Sequence, residues 1–280
     1  MTIIGVGLIG GSLARVCKEK NLIGRITGFG RNESNLKKGV ELGVIDSYTL
    51  DLKEAVRNVD IVLLATPVGV MVDIVKIMIP HLKEGTIITD VGSVKGYLVD
   101  KIEELLPKGI PFVGGHPIAG SERSGVESSL PTLFKNYNCI LTPTEKTDRE
   151  ALKKIEELWY SAGAKVILMD AKDHDRILAA ISHLPHVVAY ALVNTIGDIC
   201  KEEDNLLSLA AGGFKDFTRI ASSDSVMWCD ICLLNRDNIL EIITQFKGAL
   251  ERLRRYIKEE NGTRLKEEFN KANSIRNLIC

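Results

Sequence analysis

Gly5, Gly7 and Gly10 form a G-x-G-x-x-G almost at the start of the chain. A β-branched apolar run (Thr2, Ile3, Ile4, Val6) enters the glycines, and a helix-compatible stretch from Ser12 to Lys18 leaves them. In that context Gly5 turns the chain tightly, Gly7 lets the backbone approach a pyrophosphate, and Gly10 lets the helix pack on the strand. The helix N-terminus around Leu8 and Ile9 offers free N–H groups and partial positive charge to phosphates. The motif therefore predicts a bound dinucleotide, NAD or NADP. In an NAD site an acid roughly 20 residues further on holds the ribose 2′-hydroxyl. Here the chain reads GFGRN: Gly30 stands in the acid's place and Arg31 follows. Losing the carboxylate removes a repulsion against a 2′-phosphate, and the arginine adds a charge-assisted partner for it. The reading leans to NADP or dual use, and Glu33 keeps NAD open.

In an open α/β sheet the reaction site lies beyond the carboxyl ends of the strands. Three segments end there in polar residues: Thr66-Pro67-Val68, Asp90 to Lys95, and Gly114 to Glu122. His116 is flanked by glycines instead of lying on an apolar face, so its neutral imidazole can accept a proton near neutral pH. Ser93, at a neighbouring strand tip, is placed to orient that imidazole or a substrate hydroxyl. Further on, Lys215, Asp216 and Arg219 occupy neighbouring positions in GGFKDFTRIA (212–221). An arginine holds a carboxylate bidentately, which makes Arg219 a substrate anchor, with a solvated helix face as the alternative. His183 and His186 lie three apart in SHLPH, around Pro185, with no carboxylate nearby, so no metal site is expected. Cys229 and Cys232 form a C-x-x-C without a second pair or a neighbouring histidine. The six cysteines read as reduced thiols of a cytoplasmic protein.

The elements that must position these groups alternate through the first half of the chain. Apolar strand runs are predicted at 25–30, 60–67, 86–93, 138–143 and 164–170, and 112–120 reads as strand plus loop. Amphipathic helices fall between them, from Asn32 to Leu42 (ended by Gly43), from Val68, from Ser93 to Leu106 and from Asp148 to Gly163. This is the pattern of a parallel α/β sheet. From Ala171 no further strand appears and long apolar-periodic helices take over. The expected organisation is a Rossmann-type domain over 1–170 and an all-helical domain over 171–280. The helices of the second are apolar enough to be buried in a homodimer.

Bulk properties narrow the class. The 280 residues are 45% hydrophobic and 26% charged, as in globular proteins with a sizeable core. A formal net charge of −1 gives no field toward nucleic acid or an anionic membrane. No apolar run is expected to reach the roughly 18 residues of a membrane span. The first strand begins at Thr2, so no signal or transit peptide is expected, although such strands usually carry a few more residues ahead of them.

Seven segments together resemble the prephenate/arogenate dehydrogenase (TyrA) family over essentially the whole chain. They are GVGLIGGSLA, ELGVID (41–46), DIVLLATPV (60–68), DVGSVKG (90–96), GGHPIAGSERSGV (114–126), SHLPHVVAYAL (182–192) and GGFKDFTRIA (212–221). The resemblance implies a Rossmann-type domain followed by a 6-phosphogluconate-dehydrogenase-like helical domain that closes the cleft and supplies the dimer interface. It also implies oxidative decarboxylation of prephenate to 4-hydroxyphenylpyruvate, with hydride transfer to NAD(P)+, in tyrosine biosynthesis and without a metal. His116 then matches the histidine that polarises the C4 hydroxyl, and Ser93 the serine bonded to it. Arg219 matches the arginine on a substrate carboxylate, His186 a histidine lining the pocket, and Glu122 an acid that gates or positions the site. Gly5, Gly7, Leu8, Ile9, Gly10, Arg31, Thr66, Pro67 and Ser93 fall to the cofactor. Arogenate, with an ammonium in place of the keto group, remains the alternative substrate. Many NAD-using relatives carry Asp where Gly30 stands. The chain shows neither a C-terminal ACT domain nor an N-terminal chorismate mutase segment, so a monofunctional enzyme is expected. A β-hydroxyacid dehydrogenase would need a catalytic lysine where SHLPH stands, and a mere NAD(P) sensor would not need His116, Ser93 and Arg219 together.

Overall fold

The computed structural model describes residues 1–200 and 209–278. Six short strands form one parallel sheet: β1 (Thr2–Ile4), β2 (Thr27–Phe29), β3 (Ser47–Thr49), β4 (Ile61–Leu64), β5 (Ile87–Asp90) and β6 (Phe112–Val113). Their spatial order is β3-β2-β1-β4-β5-β6. The order reverses between β1 and β4, which opens the ligand crevice at their carboxyl ends. Helices α1 (Leu8–Glu19), α2 (Glu33–Glu41), α3 (Leu52–Ala55), α4 (Val68–Met78) and α5 (Gly96–Leu105) make the crossovers. The strands read as continuous apolar runs because both faces of the sheet are covered. One core layer holds Ile3, Leu13, Leu63 and Trp159, and the other Ile4, Leu64, Met71 and Leu98.

A second, mixed sheet follows, which periodicity did not separate from the first. It consists of β7 (Gly115–Pro117), β8 (Asn138–Leu141) and β9 (Lys165–Leu168), with β7 antiparallel and β9 parallel to β8. Helix α6 (Arg149–Ser161) links the last two, capped by Asp148, whose side chain accepts from Ala151 N. His116 is therefore a strand residue paired opposite Ile140, not a loop residue as its glycine flanks predicted. The glycines serve the crossing itself. A Cβ at Gly114 would fall 2.5 Å from Thr142 Oγ1, and one at Gly115 2.8 Å from Asp90 O.

Beyond β9 the described residues are helical, as expected: α7 (Ala171–Leu178), α8 (Leu184–Ile199), α9 (Gly212–Thr218) and α10 (Ser225–Leu234). A π-helical turn, Ala179–His183, joins α7 to α8, with Pro185 tolerated in the first turn of α8. Such turns concentrate at functional sites. The run Ala171–Ile199 is long and apolar enough, by length and composition alone, to cross a membrane. This corrects the expectation from sequence. Its serine, histidine, asparagine and threonine residues disguise a stretch, Ile177–Gly197, that carries no acidic or basic side chain other than histidine.

Two compact units result, Met1–Arg236 and Asp237–Cys280. The first contains both sheets and α1 to α10. The second holds most of α11 (Arg236–Lys258) and all of α12 (Gly262–Arg276), with Arg252 and Glu268 paired at 3.8 Å. Cys280 lies outside the described residues.

Candidate active site

His116 is buried, and its Nδ1 lies 2.8 Å from Nε2 of His174. His174 Nδ1 in turn lies 2.8 Å from Asp175 Oδ1. The carboxylate of Asp175 also caps α5: Lys95 N donates to Oδ1 at 2.7 Å and Gly96 N to Oδ2 at 2.8 Å. A carboxylate at a helix N-terminus is held by the peptide dipoles as well as by these bonds. The donors assign the protons along the row. Asp175 only accepts, so His174 carries its proton on Nδ1 and presents a lone pair at Nε2. His116 donates from Nδ1 to that lone pair, which leaves its own Nε2 as a proton acceptor.

The surroundings keep His116 neutral. Burial pushes its pKa well below the usual histidine value, and the neighbouring His174, Lys95 and His183 push the same way. Burial lowers His174 too, opposed by its bond to Asp175. A neutral imidazole with a free Nε2 is the state a general base needs before reaction.

A second set of bonds fixes the floor beneath this row. Lys95 and Asp90 form an ion pair with both side chains fully buried. The ammonium also donates to Gly115 O at 2.9 Å, while Asp90 accepts from Gly92 N at 2.7 Å and Gly115 N at 3.0 Å. The residue before His116 is thus held at both its backbone N–H and its carbonyl. Asn235, capping α10, donates through Nδ2 to Asp175 O at 2.8 Å and lies 3.1 Å from His183 Nδ1. His183 accepts there and keeps its proton on Nε2. Burial lowers its pKa to about 4, and the Ser93 backbone beside it opposes that shift. The Ser93 hydroxyl makes no hydrogen bond to His116 among the described residues; it is His174 that orients the imidazole.

Two further predicted residues, Arg219 and His186, lie in the helical part, and a third, Glu122, lies between β7 and β8. Arg219 begins a tight helical turn after α9 and pairs with Glu122. The arginine side chain is 63% exposed, so its guanidinium remains open to a second anion. His186 stacks on Trp228 with ring centroids 3.7 Å apart, and its Nδ1 lies 3.0 Å from Ser182 O. That bond places the proton on Nδ1 and leaves Nε2 as an acceptor. His183 also packs on Trp228, edge-on at 6.0 Å, while the Nδ1 atoms of the two histidines have different hydrogen-bond partners, Asn235 and Ser182.

The glycine loop fits a dinucleotide. Gly5 has φ +97°, and a Cβ there would fall 2.5 Å from Ala65 O. A Cβ at Gly10 would strike Gly5 O at 2.5 Å, so the third glycine serves helix–strand packing. Above Gly7, by contrast, a Cβ would meet nothing within 4 Å, leaving room for a phosphate at the uncapped N-terminus of α1. Thr66, just past the carboxyl end of β4 and before Pro67, has a buried hydroxyl without a hydrogen-bond partner. At the ribose end, Arg31 is exposed. Glu33 accepts from Tyr48 OH at 2.9 Å and pairs with Lys37, so its carboxylate is already engaged.

Sequence reasoning placed the segment from Asp90 to Lys95 at the site without giving either residue a role, and it missed His174, Asp175, Asn235 and Trp228. The HD pair opening α7 looks like an ordinary polar helix start, and Lys95 like a solvated charge. The passage from the first sheet to the second sets Asp90 and Lys95 on Gly115 and His116 on His174, while Asn235 holds Asp175 and Trp228 stacks on His186.

Residues 13–168 match the family described as prephenate dehydrogenase, nucleotide-binding domain, and residues 170–271 match prephenate dehydrogenase, dimerization domain. The chain is 37% identical to the prephenate dehydrogenase of Bacillus subtilis, over 97% of this chain and 74% of that protein. It is 36% identical to the cyclohexadienyl dehydrogenase of Zymomonas mobilis, over 99% of this chain and 94% of the relative. Its fold superposes with a TM-score of 0.94 on the prephenate dehydrogenase from A. aeolicus solved with hydroxyphenyl propionate and NAD+. That match has 41% identity and covers 100% of this chain and 97% of the other. With the crevice, the glycine loop and both matched domains in place, the chain belongs to the prephenate/arogenate dehydrogenase (TyrA) family.

Proposed function

We propose that this protein is a prephenate dehydrogenase that converts prephenate to 4-hydroxyphenylpyruvate and CO2 with reduction of NAD(P)+. The observation that carries the reading is the accepting Nε2 of buried, neutral His116, fixed by the row through His174 to Asp175. His116 takes the proton of the C4 hydroxyl while the hydride leaves C4, and the bound nicotinamide supplies the hydride acceptor. Loss of the ring carboxylate as CO2 makes the ring aromatic, and the proton held on His116 returns to the phenolic oxygen. The reaction therefore needs no net proton from solvent. Arg219 holds a substrate carboxylate, Glu122 partners that arginine before substrate arrives, and His186 on Trp228 lines the pocket. Ser93 serves the substrate hydroxyl and the cofactor rim.

Gly5, Gly7, Leu8, Ile9 and Gly10 hold the pyrophosphate, and Thr66 and Pro67 border the nicotinamide side. The free Arg31 and the engaged Glu33 favour NADP or dual use. A cytoplasmic homodimer through the helical domain over 171–280 completes the reading, in line with the matched dimerization domain. Arogenate is the second substrate to test, because a relative of similar identity is a cyclohexadienyl dehydrogenase. Purified protein supplied with prephenate or arogenate and NAD+ or NADP+ should reduce the nicotinamide with prephenate. Absence of turnover in all four combinations would refute the proposal.

A further inference from the structure

Asn35, in the first turn of α2, spends both ends of its side-chain amide on two different loops. Its Nδ2 donates to Val6 O at 2.7 Å, between the first two glycines of the dinucleotide loop. Its Oδ1 accepts from Val126 N at 2.9 Å, on the segment that carries Glu122. The amide cannot turn over without setting two donors and two acceptors against each other, so the link has one sense. Its backbone N–H is held as well, by Asn32 Oδ1 at 3.1 Å.

The segment so tethered begins at His116 and runs past Glu122 to Ser129. Leu130 N donates to Ser12 Oγ at 2.9 Å, and Arg15 Nε to Ser129 Oγ at 2.8 Å, both from α1. The Val126 side chain is fully buried in the same core layer as Val6, Leu36 and Ile45. The elements that cradle the dinucleotide are therefore the same ones that anchor the strap between the base and Glu122. Between the anchors, Ser121 to Ser124 are exposed and bonded only locally, Arg123 N to Ser121 Oγ and Ser128 Oγ to Ser124 O, so Glu122 reaches Arg219 from a span whose long-range ties lie at its ends.

We infer that Asn35 is a positioning residue that couples occupancy of the dinucleotide loop to the setting of the Glu122–Arg219 pair. This rests on the substrate reading given above. A phosphate settling on the glycine loop immobilises Val6, Asn35 passes that restraint to Val126, and the strap has less freedom to lose when a carboxylate reaches Arg219. The coupling is reciprocal: each ligand tightens the other by one common factor.

Titrating 4-hydroxyphenylpyruvate onto the full chain, with and without saturating NAD+ or NADP+, measures that factor directly. Wild-type protein should bind the ketoacid about 5-fold or more tightly when the dinucleotide is present. Asn35→Ala should reduce the factor to less than about 2-fold, and Asn35→Asp should do the same, because it keeps an acceptor for Val126 N but loses the donor to Val6 O. A purely structural asparagine would lower the melting temperature of both variants and leave the coupling factor untouched, and that result overturns the inference. Wild-type protein that binds the ketoacid with no coupling overturns it as well. Failure of wild-type protein to bind the ketoacid in any condition overturns the substrate reading and this inference with it.

Discussion

His116 Nδ1 and His174 Nε2 stand 2.8 Å apart, and Asp175 behind them decides which nitrogen of each ring carries the proton. A single histidine beside a substrate hydroxyl would divide its neutral form between two tautomers. Here the helix cap at Lys95 and Gly96 holds Asp175 as an acceptor, and the choice passes outward through two imidazoles to the reacting nitrogen. Once His116 accepts a proton, the added positive charge is spread along the row toward the carboxylate. The fold thus keeps His116 neutral at rest and, in the proposed reaction, sets a carboxylate two rings away to balance the proton it takes up.

Replacing His116 by Asn removes the acceptor while preserving much of the volume. Steady-state kinetics should show kcat reduced by roughly 10²-fold or more, with a far smaller change in KM. Near-wild-type kcat would exclude His116 as the base.

His174 tests the row itself. His174→Leu fills the space but deletes the lone pair that accepts from His116, and kcat should fall by about 10-fold or more while substrate binding holds. His174→Gln can offer an amide oxygen at the same place and should recover part of the loss. In wild-type protein, activity should persist below the usual histidine range, because burial holds His116 neutral there. The acid limb of the kcat/KM profile should move in His174→Leu. Equal activities for the Leu and Gln variants, with unchanged profiles, would reduce His174 to packing.

The first sheet was legible because its strands are continuous apolar runs separated by capped helices, and Gly5, Gly7 and Gly10 announce the crevice. His116, Arg219 and Glu122 could also be reached, since they stand in glycine-flanked or oddly polar segments. His174 and Asp175 could not. Their spacing is that of any amphipathic helix start, and their contact with the site is long-range: the chain leaves the first sheet after β6, and β7 in the second sheet sets His116 against His174 of α7. The same crossing hides Lys95, whose burial depends on Asp90 and the Gly115 carbonyl and not on its neighbours in sequence. Register within a strand is a local property, whereas the pairing of β7 with β8 is decided by two glycines that admit Thr142 and Asp90 at close range.

Arg219 is paired with Glu122 and its side chain is 63% exposed, so in the proposed reaction an arriving carboxylate joins Glu122 on the same guanidinium. Arg219→Ala should raise KM chiefly, by the equivalent of about 2–5 kcal/mol for a substrate carboxylate left unpaired. Glu122→Gln removes a like charge beside the arriving carboxylate and should lower KM by up to about fivefold, since an exposed charge–charge contact is worth at most about 1 kcal/mol. Titration of substrate at low and moderate salt separates the two effects. An unchanged KM in Arg219→Ala would remove the anchor from the mechanism.

The ribose end is a test of cofactor choice. A Cβ at Gly30 would meet nothing nearer than Leu36 Cδ2 at 3.7 Å, so an aspartate fits without moving the backbone. Gly30→Asp restores a hydrogen-bond acceptor for a ribose hydroxyl and sets a negative charge against a 2′-phosphate. The ratio of kcat/KM for NAD+ to that for NADP+ should rise by about 10-fold or more, the effect of a single charge-assisted contact worth roughly 1.5–3 kcal/mol. An unchanged ratio would place the discriminating group elsewhere, with Arg31 the next to replace.

Four histidines make the fold sensitive to acid. Burial lowers the pKa of His116, His174, His183 and His186, with His183 brought down to about 4. In the unfolded chain the same rings titrate near the ordinary histidine value of 6.5. Below that pH the unfolded chain binds protons that the folded one refuses, so stability is complete above it and declines as pH falls. A ring that stays fully neutral, as buried His183 does, contributes about 1.4 kcal/mol per pH unit within its own window. For His183 that window runs from 6.5 down to about 4. Urea unfolding between about pH 7.5 and 4.5 should therefore show a steep loss of stability on the acid side. His183→Gln keeps an acceptor for the Asn235 amide but has no proton to gain. Its slope should be shallower by one ring's share, and a slope equal to that of wild-type protein would show that His183 does not stay neutral in the folded state.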